Sequence, residues 1–216
     1  MNNRTSHVTS TANEVWRTLP QGQTIAGASI GIICIPGVSG LIPGNVQNAT
    51  SFDFPVMYEV MEDVEFPQIA VGDPVVIPRV IAAARALVKQ GAHAVVGACG
   101  SLGHYQKPVA DAIREPVYMS ILTQVPFILQ SLGSNQKLLL VFATLGAFTD
   151  MVKDQCGIED TDRLLAIDLV DCEEFQKLSQ PNFESDPYII QRGQNQRAKV
   201  SGSCSYRVIC LPYQPG

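Results

Sequence analysis

The sequence predicts an α/β protein with parallel sheets, built as two related halves. Three observations carry that reading. Several short runs are apolar throughout, as strands covered on both faces must be: Ile30–Ile35, Val95–Val96, Leu138–Phe142 and Leu164–Ile167. The run Phe54–Val60, the helical stretch from Asp73 to Gly91 and the run at Val95 have the spacing of a right-handed strand–helix–strand crossover. From Lys137 the same order of buried strand, small residues and helix begins again.

Composition bounds the answer. The chain has 216 residues, 46% hydrophobic and 16% charged, enough for one sizeable domain or two small ones. A net charge of −5 argues against a nucleic-acid partner, which asks for a basic footprint. No run of about 18 apolar residues occurs, so no transmembrane helix and no membrane partner are expected. The polar stretch from Met1 to Thr24 lacks the apolar core of a secretion signal. Six cysteines, at positions 34, 99, 156, 172, 204 and 210, are scattered without metal-ligand spacing. Free thiols and a cytoplasmic location are the expectation.

The elements follow in order. Residues 1–27, rich in Ser, Thr, Asn and Gln, read as a loose arm, with one short helix around Trp16. Ser29–Ile35 is the first strand, and Cys34 within it reads as packing. Pro36-Gly37 and Pro43-Gly44 interrupt regular structure, which makes residues 36–54 a long loop of the kind that often carries function. Asn45 and Asn48 within it could donate to a substrate carboxylate, and both also suit plain turns. Phe54–Val60 is the second strand. Asp73 caps and Pro74 opens the next helix, whose apolar stripe is Val76, Val80, Ala83, Ala84 and Leu87 and whose stop is Gly91. Arg79, Arg85 and Lys89 read as solvated.

The run Val95-Val96-Gly97-Ala98-Cys99-Gly100-Ser101 is the centre of the chain. Ligands of open α/β sheets collect at the carboxyl ends of strands, where Cys99 falls. A helix start near Leu102 would turn free amides toward it, favouring a thiolate or a bound carboxylate. The plainer reading of Cys99, a small core filler, stays open at this point. His104 and Gln106 follow on the same helix; His104 could tune the thiol or cap a surface, and the surface role is the one favoured. Further along come a short strand at Val117–Met119, a helix over Thr123–Leu132, a strand over Lys137–Ala143 with Thr144 at its end, a helix from Ala147 to about Gln155, a strand at Leu164–Asp168 and a short acidic helix over Asp171–Leu178. From about Pro181 the text turns polar and irregular, with Val208–Pro212 the last apolar run.

Three segments resemble a known family. Ala98-Cys99-Gly100-Ser101-Leu102-Gly103-His104-Tyr105-Gln106 is similar to the cysteine motif of the aspartate/glutamate racemase superfamily. Ile42-Pro43-Gly44-Asn45-Val46-Gln47-Asn48, followed by Phe54-Pro55-Val56, and the passage Pro116–Pro126 match further stretches of it in the right order. The resemblance covers about residues 28–180. It implies two pseudo-symmetric Rossmann-like halves with the active site between them, no cofactor, a small carboxylate as substrate and a homodimer as a plausible assembly. We divide the chain accordingly into the arm 1–27, a first half 28–132 and a second half 133–216. The second half looks truncated or atypical after about 181, because the family's strand ending in Glu-Cys-Thr is not matched.

The chemistry so implied inverts a carbon beside a carboxylate. One base removes the proton and an acid on the opposite face returns one, roles that a thiolate and a thiol can share. Carried over, Cys99 is the first catalytic thiol and Cys210 the candidate for the second, with Cys204 behind it. Gly100 and Ser101 form the carboxylate-binding turn, joined by Asn45, Asn48 and Thr144, and no metal is called for. Two alternatives differ in class: a single-cysteine decarboxylase or cis–trans isomerase of a small dicarboxylate, and an inactive remnant or small-carboxylate binder.

Overall fold

The computed structural model describes residues 27–36, 41, 43–142 and 145–169, together with the backbone of 206–210. The expected arm, Thr144, the acidic helix with Cys172, and Cys204 lie outside the described residues.

Sheet A holds four parallel strands: β1 (Ile30–Cys34), β2 (Val56–Val60), β3 (Ala94–Gly97) and β4 (Val117–Tyr118), in the spatial order β2-β1-β3-β4. The pairing register sets Ile30 against both Val56 and Ala94. The chain leaves β1 toward β2 on one side and returns to β3 on the other. The carboxyl ends of β1 and β3 therefore open the crevice where such sheets bind ligands.

β1 is buried because both its faces are covered. Ile33 and Ile35 pack with Val95 and the inner face of α2 (Ile77–Gln90). Ile32, Cys34 and Ala98 pack under Val46 and Phe52 of the long loop. On α2 the predicted stripe is the buried one, with Val80, Ala83, Ala84 and Leu87 all at 0% exposure. Burying each of the larger members stabilises the fold by roughly 1.5–3 kcal/mol. Asp73 caps as expected, accepting from the Val75 amide at 2.9 Å. The cap serves a 3-10 turn, Pro74–Val76, ahead of α2 proper. Gly91, at φ +123°, turns its amide back onto Leu87 and Val88 and ends the helix. Arg79 is tied down, its Nε 2.6 Å from Asp63. One short helix has no counterpart in the sequence reading, α1 (Phe66–Val71), where Pro67 sits in the tolerated first turn and Glu65 and Gln68 form a capping box.

Sheet B repeats the plan. β5 (Lys137–Phe142) lies between β6 (Leu164–Asp168) and β7 (Tyr206–Cys210), all parallel, in the order β6-β5-β7. The last apolar run of the sequence thus forms a strand and gives the second sheet its third member. Leaving β5 for β6 on one side and reaching β7 on the other reproduces the β1, β2, β3 arrangement. The second core joins Leu138, Leu140 and Phe142 to Val152 of α5 (Asp150–Gln155) and to Leu122, Val125 and Leu129. Val125 and Leu129 belong to α4 (Val125–Ser131), so by packing the crossing between cores falls near Ser120.

Candidate functional site

The site begins where β3 stops. After Gly97 the chain passes Ala98, whose amide donates to Ile33 O at 2.9 Å, and reaches Cys99 in extended conformation. A 3-10 helix, Gly100–Tyr105, starts at once and leads into α3 (Gln106–Ala112). The expected helix through Ile113 is therefore two pieces. The tight first one forms because Gly103 lets the backbone approach its neighbours. A Cβ on Gly103 would lie 2.9 Å from Val152 Cγ2, 3.0 Å from Ser120 Cβ and 3.1 Å from Cys156 Sγ. Gln106 holds β4 in place, donating from Nε2 to Val117 O and accepting from the Met119 amide.

Cys99 is a free thiol, 4% exposed. Burial pushes its pKa up, opposed by the amide and hydroxyl of Ser101 and the amide of Leu102, which favour the anion. Burial is the larger influence, so Cys99 rests as the neutral thiol, the form that delivers a proton. Its surroundings still contain the donors that would steady a thiolate once formed. Ser101, also buried, turns its hydroxyl to the Cys99 sulfur.

His104 corrects the sequence reading. It is not on a surface but 3% exposed, between the two halves. Its Nδ1 is 2.8 Å from Ser101 O, and its Nε2 is 3.0 Å from Thr149 Oγ1. The carbonyl can only accept, so Nδ1 carries the proton and the Thr149 hydroxyl donates to Nε2. Thr149 Oγ1 in turn accepts from the Val152 amide and caps α5. Burial lowers the pKa of His104, consistent with a neutral ring.

Both loop asparagines serve the loop itself. Asn45 Oδ1 accepts from the Gln47 amide at 2.8 Å. Asn48 Oδ1 accepts from the amide and hydroxyl of Thr50, while its Nδ2 donates to Leu41 O. The loop is seated on sheet A by Tyr58, which donates to Val46 O, and by Gln47, which donates to Ile35 O at the end of β1. Gln47 is a residue the sequence reading passed over. Its Oε1 is buried with no hydrogen-bond partner among the described residues. Nothing in the sequence marks it, since Gln in a loop is unremarked without the fold.

Cys210 ends β7, paired with Val141 in register. Superposing the two sheets by their registers, with Ile30 on Leu138, sets Cys210 on Gly97, two residues ahead of Cys99 along its strand. β3 and β7, the corresponding strands of the two sheets, thus each bring a cysteine to or just beyond the carboxyl end. Among the described residues no cluster of three or more His, Cys, Asp or Glu could hold a metal ion. No described helix is long and apolar enough to cross a membrane.

Two parallel sheets of the same strand order, with a buried thiol in a tight turn at the crevice of the first, define the class: a two-half α/β protein with a cysteine site. Comparison with known proteins adds particulars. The chain is 28% identical over 147 residues to dimethylsulfoniopropionate lyase 3 of Emiliania huxleyi (strain CCMP1516), covering 66% of this chain and 37% of that one. It is 27% identical over 151 residues to the dimethylsulfoniopropionate lyase of Durusdinium sp. clade D, covering 66% and 50%. The chain spans half or less of the length of these curated relatives. Among solved structures it is similar to unliganded arylmalonate decarboxylase, with a TM-score of 0.49 and 17% identity over 85% of this chain and 77% of that one. Glutamate racemase from Campylobacter jejuni subsp. jejuni gives 0.46 and 12%, over 86% and 93%. No protein-family model matches.

Proposed function

We propose that this chain belongs to the aspartate/glutamate racemase superfamily and moves a proton at the carbon beside a carboxylate, with Cys99 as the working acid and base. The observation that carries this is the repeated strand order: β2-β1-β3 and β6-β5-β7 each open a crevice, and the corresponding strands β3 and β7 end just before or with a cysteine. Ser101 and the amides of Gly100 and Ser101 hold the substrate carboxylate and take up charge as the carbon acid ionises. In the racemase form of the reaction, Cys210 as thiolate removes the α-proton and the Cys99 thiol delivers one to the opposite face. The pair then resets in the reverse direction. Asn45 and Asn48, on the loop that follows β1, and Thr144, by its place in the sequence after β5, remain candidate substrate contacts.

A second reading rests on the sequence relatives and on register. With Cys210 two residues short of the Cys99 position, one thiol alone suffices for a lyase. Cys99 as thiolate takes the proton beside the carboxylate of a β-sulfonio acid such as dimethylsulfoniopropionate. The electron pair left on carbon forms the double bond, and the carbon–sulfur bond breaks to release a neutral thioether. A single-cysteine decarboxylase or isomerase needs the same group.

The experiment is proton exchange in deuterated water, followed by NMR, with aspartate, glutamate and dimethylsulfoniopropionate. Racemisation lost in both Cys99→Ala and Cys210→Ser supports the two-thiol form. Thioether release lost only in Cys99→Ala supports the lyase. No exchange and no release with any of the three overturns the proposal in both forms.

A further inference from the structure

The mechanism above leaves one buried polar network unused. It runs from the second half of the molecule to the turn that carries Cys99. Thr149, at the start of α5, donates to His104 Nε2 at 3.0 Å, and His104 Nδ1 donates to Ser101 O at 2.8 Å. The carbonyl of Ser101 and the amide of Leu102 are the two ends of one planar peptide unit, and in a trans unit they point opposite ways. The Leu102 amide donates to Cys99 O at 3.1 Å and is among the groups that favour a Cys99 anion. A donor fixed on one end of that plane therefore fixes the aim of the other.

The imidazole cannot easily find another seat. Gly72, at φ +70°, ends α1 against the ring, and a Cβ there would lie 2.7 Å from His104 Cδ2. The neighbouring Gly103 is clamped between Val152, Ser120 and Cys156. So the ring is boxed by the first half on one side and bonded to the second half on the other. We propose that His104 is a positioning residue: through Thr149 it ties the peptide plane facing Cys99 to the docking of the second half. This rests on the reading of Cys99 as the working thiol. It adds that the thiol is set for chemistry only while the two halves are engaged.

Among the described residues, the titratable groups facing this network are few. They are Tyr105, which donates to Gln68 O and Asp73 O, Cys156 against Gly103 O, and the Lys107–Asp154 pair that crosses from α3 to α5 at 2.9 Å. None of them bonds to the imidazole.

The test reads the thiol directly and needs no substrate. Labelling of Cys99 by iodoacetamide is followed by peptide mass spectrometry from pH 6 to 10 in the full-length chain. Loss of the Thr149 hydroxyl in Thr149→Val should slow Cys99 labelling at pH 8 by about tenfold and move the labelling curve to higher pH, the scale expected for one mis-aimed donor to an anion. Thr149→Ser, which keeps the hydroxyl, should follow the parent curve. His104→Asn, which keeps a donor near Nδ1, should recover more of the rate than His104→Leu. Should the His104 variants fail to fold, the Thr149 pair decides alone. Thr149→Val labelling like the parent, with an unchanged melting temperature, overturns the proposal. A shifted curve in a protein that exchanges no substrate proton would sustain the coupling and reject the proposed activity, so the two fail separately.

Discussion

Gly97 and Met119 come closer than any side chain would permit: a Cβ on Gly97 would lie 2.1 Å from the Met119 carbonyl oxygen and 3.1 Å from Leu102 Cδ1. The last residue of β3 is bare because the end of β4 passes directly over it, two residues before Cys99. The contact is with backbone, which cannot swing away. Gly97→Ala should therefore push β3 and β4 apart and cost about 3 kcal/mol or more. Urea unfolding checks this. A midpoint within error of the parent would mean that the strand ends are not in contact.

Gly103 makes a milder version of the same case. The atoms its Cβ would meet belong to side chains: Val152 Cγ2 and Cys156 Sγ can give by a few tenths of an ångström, while Ser120 Cβ moves only with its backbone. Gly103→Ala should cost about 1–3 kcal/mol. Adding Val152→Ala should recover part of the loss, because Val152 Cγ2 is the nearest obstacle. A double variant less stable than the sum of the two single ones would refute a shared contact.

Much of this architecture was legible before the fold was seen, for a physical reason. A strand covered on both faces must be apolar throughout, so β1 and β5 stand out from their surroundings, while β6, equally apolar in sequence, is only half-buried along its length; Gly91 marks the end of α2 by needing positive φ. Cys99 is legible from its place after such a strand. What was not legible depends on contact between distant segments. His104 lies among Gly, Tyr and Gln, and only the arrival of Thr149, 45 positions later, makes it a buried bridge. The 3-10 turn at Gly100–Tyr105 reads as ordinary helix until Val152 and Cys156 press on Gly103. The α4 segment followed sheet A in sequence, and only its packing assigned it to the second core.

The neutral state of His104 predicts an acid sensitivity. Its pKa is lowered in the folded protein, burial being the main cause. The unfolded chain therefore takes up the proton first as pH falls below about 6.5, and folding stability declines from there. The loss from this residue is at most about 1.4 kcal/mol at pH 5.5. Urea midpoints at pH 7.5 and 5.5 should differ for the parent and differ less for His104→Gln, which cannot titrate. Equal shifts in both proteins would place the acid sensitivity elsewhere.

Two other buried thiols predict the opposite limb of the pH curve. Burial pushes Cys34 up to about 12, and it does the same for Cys156, with Lys107 pulling slightly the other way. Both sulfurs are well shielded, Cys34 at 2% and Cys156 at 6% exposure. In the unfolded chain these thiols ionise near 9.0. Their stability contribution is complete below pH 9 and is lost as pH rises toward 12, since the unfolded state ionises first. Between pH 8 and 10.5 each should cost about 2 kcal/mol of folding free energy. Cys34→Ala starts lower at pH 8, because it leaves a small gap beside Ile32 and Ala98, but it should lose correspondingly less over the same interval. The comparison isolates the thiol, together with the part of the upward shift of Tyr58 that Cys34 causes, from lysine titration, which both proteins share. Parallel stability curves for Cys34→Ala and the parent across that interval would show that Cys34 ionises as readily in the folded chain as in the unfolded one.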